Sequence, residues 1–312
     1  MNGAHALSEA RDVMSSAAST GVERPVMSSA APVVTVSGSD RAADSACNIT
    51  DDDGGGWPSA EVSGTDGRRC DLDVIEVTTE TWPQALAERV RSSRPALFRF
   101  CGDARIRAIR ADLRRASFTH GGPYARRFVR LSRLPYVDDR ASSTTMSSSW
   151  ARALLSDRRP RGEPLYVFVD NFWKTGDVAV AAAEALLEGV AAHDGTAGMV
   201  TLREFFMGGN GTGSQWHWHR MVLNVAAYGR KQWWVLPPDR ARYSREPTTT
   251  LEGDEMHCLQ QPGEIVFLPD RWAHSTRNDG ISVGVAIEVG FPGWDGKAPR
   301  LPACAECVFG DE

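Results

Sequence analysis

Three histidines whose spacing suits a metal site are the residues of this chain best able to perform chemistry. His217 and His219 are separated by one residue, and His274 follows later in the chain. Because successive side chains of an extended strand point to opposite faces, the first two would share one face, with Trp216 and Trp218 on the other. Neutral imidazoles are frequent ligands of transition metals. The spacing therefore predicts three metal ligands, the alternative being ordinary polar residues at the mouth of a barrel.

Two strands must position these side chains. The first is predicted over Gln215–Tyr228 and contains the closely spaced pair of histidines. The second is predicted over Glu264–Leu268, an apolar segment that follows a Pro-Gly turn and precedes a second turn containing His274. The metal-site hypothesis requires that both segments belong to the same barrel.

Composition and charge bound the class of protein. The chain has 312 residues, 42% of them hydrophobic, and ten Trp, so it can bury a substantial core. Its formal charge of -5 argues against a protein that coats nucleic acid, although residues 105–133 are rich in Arg. No apolar run approaches the roughly 20 residues that cross a bilayer. We therefore expect a soluble protein without a membrane span, with its oligomeric state open.

The predicted organisation has three parts. Residues 1–68 are rich in Ala, Ser, Gly and Asp, and we expect disorder there because such a segment cannot bury enough surface to offset the entropy of ordering. Residues 69–292 are predicted to fold, with an α/β part over 69–198 and a barrel containing the metal site over 199–292. Residues 293–312 form a predicted C-terminal tail.

Hydrophobic patterns place helices mostly in the first folded part and strands in the second. In the first part the predicted strands cover residues 74–77, 95–100 and 165–169, and the predicted helices cover residues 81–90, 106–116, 150–155 and 178–192. In the second part the predicted strands cover residues 202–207, 215–228, 232–236, 264–268 and 281–289. The order indicates a mainly β barrel or sandwich packed against its own N-terminal helices.

Two spaced motifs resemble those of the cupin superfamily. The first consists of Gly211, His217, His219 and Asn224, with Asn where cupins have Glu; the second consists of Gly263, Pro269, His274 and Asn278, with Arg271 where Gly is usual. Within the cupins, residues 229–238, 262–264 and 272–274 resemble the JmjC domain, and the resemblance covers roughly residues 70–292. It implies a mainly β fold with N-terminal helices, a double-stranded β-helix (the cupin/JmjC jelly roll), with the site in its mouth.

Four segments are similar to a smaller group, the JmjC-domain-containing protein eight subfamily, which is regarded as lumenal in the endoplasmic reticulum. They are residues 166–171, 217–219, 228–231 and 269–272, and Cys70 and Cys258 also fall where that group has cysteines. The first residues of the chain lack the basic start and apolar core of a secretory signal, which indicates the cytoplasm instead. The localisation therefore stays open between these two compartments.

The resemblance implies a specific cofactor chemistry. JmjC oxygenases use Fe(II) and 2-oxoglutarate to hydroxylate or demethylate protein side chains. Three residues hold their metal: a His, an Asp or Glu two residues after it, and a distal His. Here His219 occupies the carboxylate position, so the ligand set is neutral and an Fe(II) centre would be harder to oxidise. Three histidines still suit iron, zinc or another divalent transition metal.

Three further residues are candidates for binding the co-substrate. By the resemblance, Lys231 matches the lysine that ion-pairs the distal carboxylate of 2-oxoglutarate, and Ser214 and Asn224 match positions that hydrogen-bond it. The alternatives are an ordinary lysine at a strand end and two satisfied polar groups of a turn or strand. The sequence identifies no general acid, general base or nucleophile, so the catalytic residues are left unassigned.

Several neighbouring residues are predicted to be structural. Core packing is preferred over substrate stacking for Trp216, Trp218, Trp233, Trp234 and Trp272. Glu264 is expected to stabilise a turn, and His257 to lie on the surface.

Two functions from different classes follow. The first is a JmjC-like oxygenase acting on protein side chains through a three-His metal site. The second is a catalytically inactive JmjC/cupin module that serves as a binding or folding-assistance protein, since a fold is often kept without its chemistry.

Overall fold

The structure of the protein is a computed structural model. It describes residues 55–57, 70–100, 102–119, 121–129, 166–170, 172–174, 176–190, 198–242 and 253–290. The predicted helix at 150–155, the predicted tail at 293–312 and nearly all of the segment 1–68 lie outside these residues.

The N-terminal part of the domain alternates short strands and helices. Its elements are β1 (Asp73–Val77), α1 (Trp82–Ser92), β2 (Ala96–Phe100), α2 (Ala104–Asp112), α3 (Arg115–Phe118), α4 (Ala125–Val129), β3 (Tyr166–Asp170) and α5 (Val178–Glu184), which continues as a 3-10 turn (Ala185–Leu187). The three predicted strands and the first predicted helix are confirmed. Asp103 begins α2, because its carboxylate accepts hydrogen bonds from the backbone amides of Arg105 and Ile106.

Two helix predictions were too long. The helix predicted over residues 106–116 is divided into α2 and α3, because Arg114 has an extended backbone at ψ 150°. The helix predicted over residues 178–192 ends as α5 at Glu184, and after the 3-10 turn Gly189 takes a left-handed φ of 75°. Left-handed backbone stops an α-helix, and glycine adopts it without steric cost. The Ala-rich composition alone did not reveal these interruptions.

The C-terminal part is built from strands. They are β4 (Met199–Gly208), β5 (Val222–Leu236), β6 (Met256–Gln260), β7 (Ile265–Leu268) and β8 (Ala273–Gly290), with a 3-10 turn at Pro238–Arg240 after β5. All described strands belong to one eight-stranded sheet in the order β1-β2-β7-β5-β8-β4-β3, and β6 pairs with β5 beside this path. The pair β1 and β2 is parallel, and the other pairings are antiparallel.

Two long strands, β5 and β8, fold the sheet over on itself. The first half of β5 pairs with β7 and its second half pairs with β6, while β8 follows β5 along both halves. The pairing register shifts on either side of Tyr228, and Gly229 there has a φ of 70°. A Cβ on Gly229 would lie 1.7 Å from the carbonyl oxygen of Ile281, so the close approach of the two strands requires glycine. The result is the mainly β jelly roll expected of a double-stranded β-helix, with N-terminal helices packed against it.

This arrangement corrects three strand predictions. The strands predicted over 215–228 and 232–236 are one strand, β5, which begins only at Val222 and continues through the bulge. The strand predicted over 281–289 begins eight residues earlier, at Ala273, so His274 lies on β8 rather than in a turn. Strand β6 was not predicted. Bulges conceal such continuity because the alternation of apolar and polar residues changes phase at each one.

A short piece of the N-terminal low-complexity segment contacts the domain. Trp57 is buried, its indole Nε1 donates a hydrogen bond to the carbonyl of Leu113 at 3.1 Å, and its ring packs against Phe118. The carbonyl of Gly55 accepts a hydrogen bond from the backbone amide of Arg115 at 2.9 Å. Residues 55–57 therefore differ from the disorder predicted for 1–68, because one large aromatic side chain supplies burial that the average composition does not show.

A disulfide links the two parts of the domain. Cys70, before β1, is bonded to Cys258 on β6, across a sequence separation of 188 residues. Cys258 is fully buried in an apolar cluster with Leu72, Trp233 and Val266. The bond therefore attaches the beginning of the folded domain to the same face of β5 that carries Trp233.

In the part of the chain that the structure describes, no helix is long and apolar enough to cross a membrane.

Candidate metal centre

The three histidines come from two elements that lie side by side. His217 belongs to the connection between β4 and β5, and its backbone exchanges two hydrogen bonds with that of His274, at 3.0 and 2.8 Å. The carbonyl of His219 accepts a hydrogen bond from the amide of Arg271 at 3.0 Å. The predicted regular strand at 215–221 is wrong: this stretch forms only an isolated bridge. The bridge nevertheless holds it extended beside β8.

The alternation predicted for this stretch is preserved. Trp216 is buried in a cluster with Trp234 and Leu236, and Trp218 packs against the same cluster. The intervening side chains, His217 and His219, point the other way and meet His274. Packing of the two indoles therefore orients the two imidazoles, since extended backbone sends neighbouring side chains to opposite faces.

The three imidazoles converge closely enough to share one ion. The ring centre of His217 lies 4.2 Å from that of His274 and 5.5 Å from that of His219, and the rings of His219 and His274 are 4.8 Å apart. One nitrogen from each residue lies within 4.8 Å of the other two. Zn–N and similar bonds are about 2.0–2.1 Å long, so three donors around one ion lie roughly 3–4 Å apart. A small inward movement of the side chains completes such a site.

Backbone carbonyls set the same tautomer in all three rings. The Nδ1 of His217 lies 2.8 Å from the carbonyl oxygen of Gln215, that of His219 lies 2.6 Å from the oxygen of Arg220, and that of His274 lies 3.2 Å from the oxygen of Trp272. A carbonyl oxygen only accepts, so each Nδ1 carries the proton and donates it. Each Nε2 therefore keeps its lone pair, the form in which histidine binds a metal.

Burial keeps these rings neutral. It lowers the pKa of His217 to about 3, helped by the proximity of His219, and the hydrogen bond to Gln215 opposes the shift. Burial also lowers the pKa of His219, and it lowers that of His274 well below the usual value, with the other two imidazoles adding to the effect. Desolvation disfavours the charged form, and three adjacent cations would repel one another. The cluster therefore presents neutral donors at physiological pH.

The predicted co-substrate residues line the same cavity as the histidines. Lys231, Asn224 and Ser214 all contribute to its wall. Lys231 is not at a strand end: it lies within β5, is 1% exposed, and its ammonium sits 3.4 Å from the ring centre of Phe206. Burial lowers the pKa of Lys231 to about 7, although nearby Glu204 raises it. A buried lysine facing an open cavity suits the recognition of an anion.

The two neutral candidates have different surroundings. The Ser214 hydroxyl shares a hydrogen bond with the hydroxyl of Thr276 at 2.8 Å, as a satisfied polar group would. The side-chain oxygen of Asn224 is buried and has no hydrogen-bond partner among the described residues. Buried polar atoms are nearly always paired in native proteins, so a lone carbonyl oxygen at a cavity wall indicates a place for a ligand or water donor.

Sequence reasoning missed several residues of the cavity wall. The most consequential is Glu204 on β4, which is 7% exposed and contributes a carboxylate to a space that also contains Lys231. The other missed residues are Tyr166, Phe168, Val222, Thr276 and Ala286. The available signal was a pair of charged residues, Arg203 and Glu204, within the run 202–207, whose other members are apolar.

The residues predicted to be structural are mostly placed as expected. Trp216, Trp233 and Trp234 are buried, while Trp218 and Trp272 are partly buried and pack against the same clusters. Glu264 stabilises the turn before β7 by accepting a hydrogen bond from the amide of Gln261 at 2.7 Å. His257 is partly buried against the ring of Trp234, so the surface placement was wrong, but it lies outside the histidine cluster.

The donor set fits a divalent transition metal. It consists of three neutral imidazoles whose ligand atoms lie within 4.8 Å of one another, and all three line one cavity. Three protein nitrogens with open positions are typical of catalytic transition-metal sites.

Comparisons with known proteins identify relatives over part of the chain. JmjC domain-containing protein 8 of Mus musculus is 32% identical over 98 residues, which cover 28% of this chain and 36% of that protein. The protein of the same name from Homo sapiens is 30% identical over 108 residues, which cover 31% of this chain and 41% of that protein. The matched segments thus span less than half the length of these relatives. No model of a known protein family matches the chain.

Solved structures match only weakly. The Escherichia coli ribosomal oxygenase YcfD superposes with a TM-score of 0.28 and 15% identity over 38% of this chain and 30% of that one. Drosophila melanogaster CENP-C bound to CAL1 superposes with a TM-score of 0.22 and 13% identity over 30% of this chain and 70% of that one. TM-scores this low carry no argument about fold or function. Over the matched segments this chain is similar to JmjC domain-containing protein 8, and its folded-over sheet is the jelly roll expected from that similarity.

Proposed function

We propose that this protein is a metal-dependent oxygenase of the JmjC type, which uses Fe(II) and 2-oxoglutarate to modify a protein side chain. The observation that supports the proposal best is the tautomer of the three histidines. Each Nδ1 donates to a backbone carbonyl, so each Nε2 carries the lone pair that a metal requires, and the ligand atoms of the three rings lie within 4.8 Å of one another beside a cavity. Core histidines with a purely structural role have no reason to expose three lone pairs to one point.

The residues of the chain would have separate roles. His217, His219 and His274 would hold the metal, and Lys231 would bind a carboxylate of the co-substrate in the same cavity. Asn224 would accept a hydrogen bond from a ligand or from bound water. When bound, Fe(II) and 2-oxoglutarate would supply the activation of O2 needed to oxidise a C–H bond. The apolar wall formed by Tyr166, Phe168 and Trp233 would exclude water from that chemistry.

A second function is favoured by two features of the same cavity. His219 replaces the carboxylate that a typical JmjC site supplies, and the negative charge of Glu204 lies near Lys231, where it opposes the entry of a dianionic co-substrate. Both features favour a JmjC protein that binds metal but acts as a binding or folding-assistance module. The two functions share the metal site and differ in turnover.

A sequential experiment separates the two functions. The metal content of the purified protein is compared with that of His219→Ala, with His257→Ala as a matched control because His257 is partly buried outside the cluster. Succinate release from 2-oxoglutarate is then followed after anaerobic loading with Fe(II). Metal in the wild type and the control, its loss in His219→Ala, and succinate production would support the oxygenase. Metal without turnover would support the binding module, and absence of metal would contradict the oxygenase and the metal site and leave a module that acts through its surface.

Binding of the co-substrate has a direct optical readout. The ring of Trp233 lies 5.6 Å from that of His274 and lines the cavity, so occupancy should alter its fluorescence. We expect Trp fluorescence to be quenched only when Fe(II) and 2-oxoglutarate are both present. Lys231→Met should remove this quenching, because the variant would not bind 2-oxoglutarate. Equal quenching of wild type and Lys231→Met would contradict the assignment of Lys231.

We also propose that the protein works in an oxidising compartment such as the lumen of the endoplasmic reticulum. The bond between Cys70 and Cys258 supports this, because structural disulfides form and persist in such compartments and are rare in the cytosol. Trapping of thiols in intact cells, followed by mass spectrometry, tests it. Recovery of Cys70 and Cys258 as free thiols would contradict the proposal.

A further inference from the structure

A carboxylate lies beside the histidine that replaces the usual acidic ligand. The Oε1 of Glu288, on β8, is 3.9 Å from the Nδ1 of His219. Both side chains are largely buried, with 14% of Glu288 and 22% of His219 exposed. The negative charge is therefore near the site, although the residue that occupies the acidic ligand position is neutral.

Strand pairing places Glu288 there. It lies opposite Val222 in the pairing of β5 with β8, three residues beyond His219, and opposite Leu202 in the pairing with β4. A hydrogen bond of 2.8 Å from the amide of Val289 to the carbonyl of Met221 holds the adjoining backbone. The position is thus determined by the central strands of the sheet rather than by a loop.

Glu288 approaches the outer edge of the imidazole. It faces Nδ1, whose proton is donated to the carbonyl of Arg220 at 2.6 Å, while the carboxylate of Glu288 lies at 3.9 Å, beyond hydrogen-bond distance. The carboxylate therefore acts on the ring through its charge: a negative charge on the Nδ1 side favours electron density at Nε2, on the other side of the ring. The negative charge is then delivered through the ring instead of by direct ligation.

We propose that Glu288 is a positioning residue for the metal centre: its charge makes His219 a stronger ligand and partly restores the negative charge that a neutral ligand set lacks. This inference rests on the proposed metal site. It explains how a chain with His at the acidic ligand position keeps a carboxylate 3.9 Å from that residue.

The test uses Co(II) as the probe and the full chain throughout. Co(II) affinity and the visible absorption spectrum of the bound ion are measured for wild type, Glu288→Gln, Glu288→Asp and Glu184→Gln. The last variant is the control, because Glu184 is a partly exposed, ion-paired carboxylate on α5, and its loss changes the net charge equally. The melting temperature of each metal-free variant is measured in parallel.

We expect Glu288→Gln to weaken Co(II) binding about tenfold, the lower end of what outer partners of metal ligands contribute, and to shift the absorption spectrum. Glu288→Asp should recover most of the affinity, and Glu184→Gln should bind as the wild type does. Unchanged affinity and spectrum in Glu288→Gln, with Co(II) bound by the wild type, would overturn the role of Glu288 and leave the metal site standing. The role would also be overturned if Glu288→Gln lowered the melting temperature of the metal-free protein along with its Co(II) affinity and Glu288→Asp did not restore them. Absence of Co(II) binding by the wild type would contradict the metal site itself.

Discussion

Two buried regions on either side of β4 differ in how they treat polar groups. The first, which we call the aromatic cluster, consists of Phe118, Tyr124, Phe172, Trp173 and Phe205, whose neighbouring rings lie 4.5 to 6.4 Å apart. Its polar atoms are paired: the Tyr124 hydroxyl donates to Asp112, and the Trp173 indole donates to the carbonyl of Glu204. The second is the cavity, where burial depresses the pKa of Lys231 and of three histidines.

Strand β4 separates these regions because of its alternation. Phe205 joins the aromatic cluster, while its neighbours Glu204 and Phe206 face the cavity and Lys231. One side of the strand is therefore optimised for packing, and the other retains desolvated ionisable groups, which cost stability unless a ligand compensates them. The comparison teaches that substitutions on the two sides should affect different properties, the fold on one side and binding on the other.

The largest expected effect on stability is in the aromatic cluster. Phe205→Ala should lower the free energy of unfolding by about 3–5 kcal/mol, because a fully buried ring is replaced by a cavity. Affinity for Co(II) in the fraction that remains folded should stay within about twofold of the wild type. Urea denaturation and metal titration measure the two quantities. A large loss of metal affinity with intact stability would contradict the separation of the two regions.

The next effect is on binding. His274→Ala should weaken Co(II) binding by at least about a hundredfold, more than the 10–100-fold effects of outer partners, because it removes one of three ligands. The free energy of unfolding of the metal-free protein should change little or rise, since a desolvated polar group is lost. Calorimetric titration checks the affinity, with His257→Ala as control. Wild-type affinity in His274→Ala would exclude it as a ligand.

A smaller effect should depend on pH. Lys231 has a folded pKa of about 7, below its usual 10.5, so between these values the unfolded chain binds more protons and stability rises with pH. Between pH 7 and pH 9, the free energy of unfolding of the metal-free wild type should rise by about 2 kcal/mol relative to that of Lys231→Met. The slope expected from one proton is roughly 1.4 kcal/mol per pH unit. Urea denaturation at several pH values measures the difference. A constant difference would show that Lys231 keeps an ordinary pKa.

The smallest effect concerns the N-terminal contact. Gly55→Ala should destabilise the protein by about 1 kcal/mol more than Gly121→Ala. Both glycines have left-handed backbone, with the same penalty of about 1–2 kcal/mol for a side chain. Only at Gly55 would the new Cβ clash, 2.4 Å from the ring of Tyr228, whereas Gly121 has nothing within 4 Å. Equal melting temperatures for the two variants would indicate that residues 55–57 do not dock in solution.

The fold was predictable where local patterns were strong. Strands β1, β2 and β3 and helix α1 follow from short apolar runs and capping signals, and the alternation of Trp and His around His217 oriented that stretch correctly. The continuity of β5 through Gly229 was not predictable, because a bulge breaks the period on which strand prediction relies. Burial of Trp57 was hidden for a related reason: its partners, Leu113 and Phe118, are distant in sequence.

By itself, the sequence determined which side chains were available: three histidines at ligand spacing, a lysine beside them and two distant cysteines. Only the tertiary structure decided what surrounds them. The pairing of β5 with β8 and β4 brings Glu288 to His219 and Glu204 to the cavity of Lys231, and backbone carbonyls select the tautomer of each imidazole. Spacing along a chain specifies the faces of one strand, whereas charge, desolvation and hydrogen bonding at a site come from strands that meet only after folding.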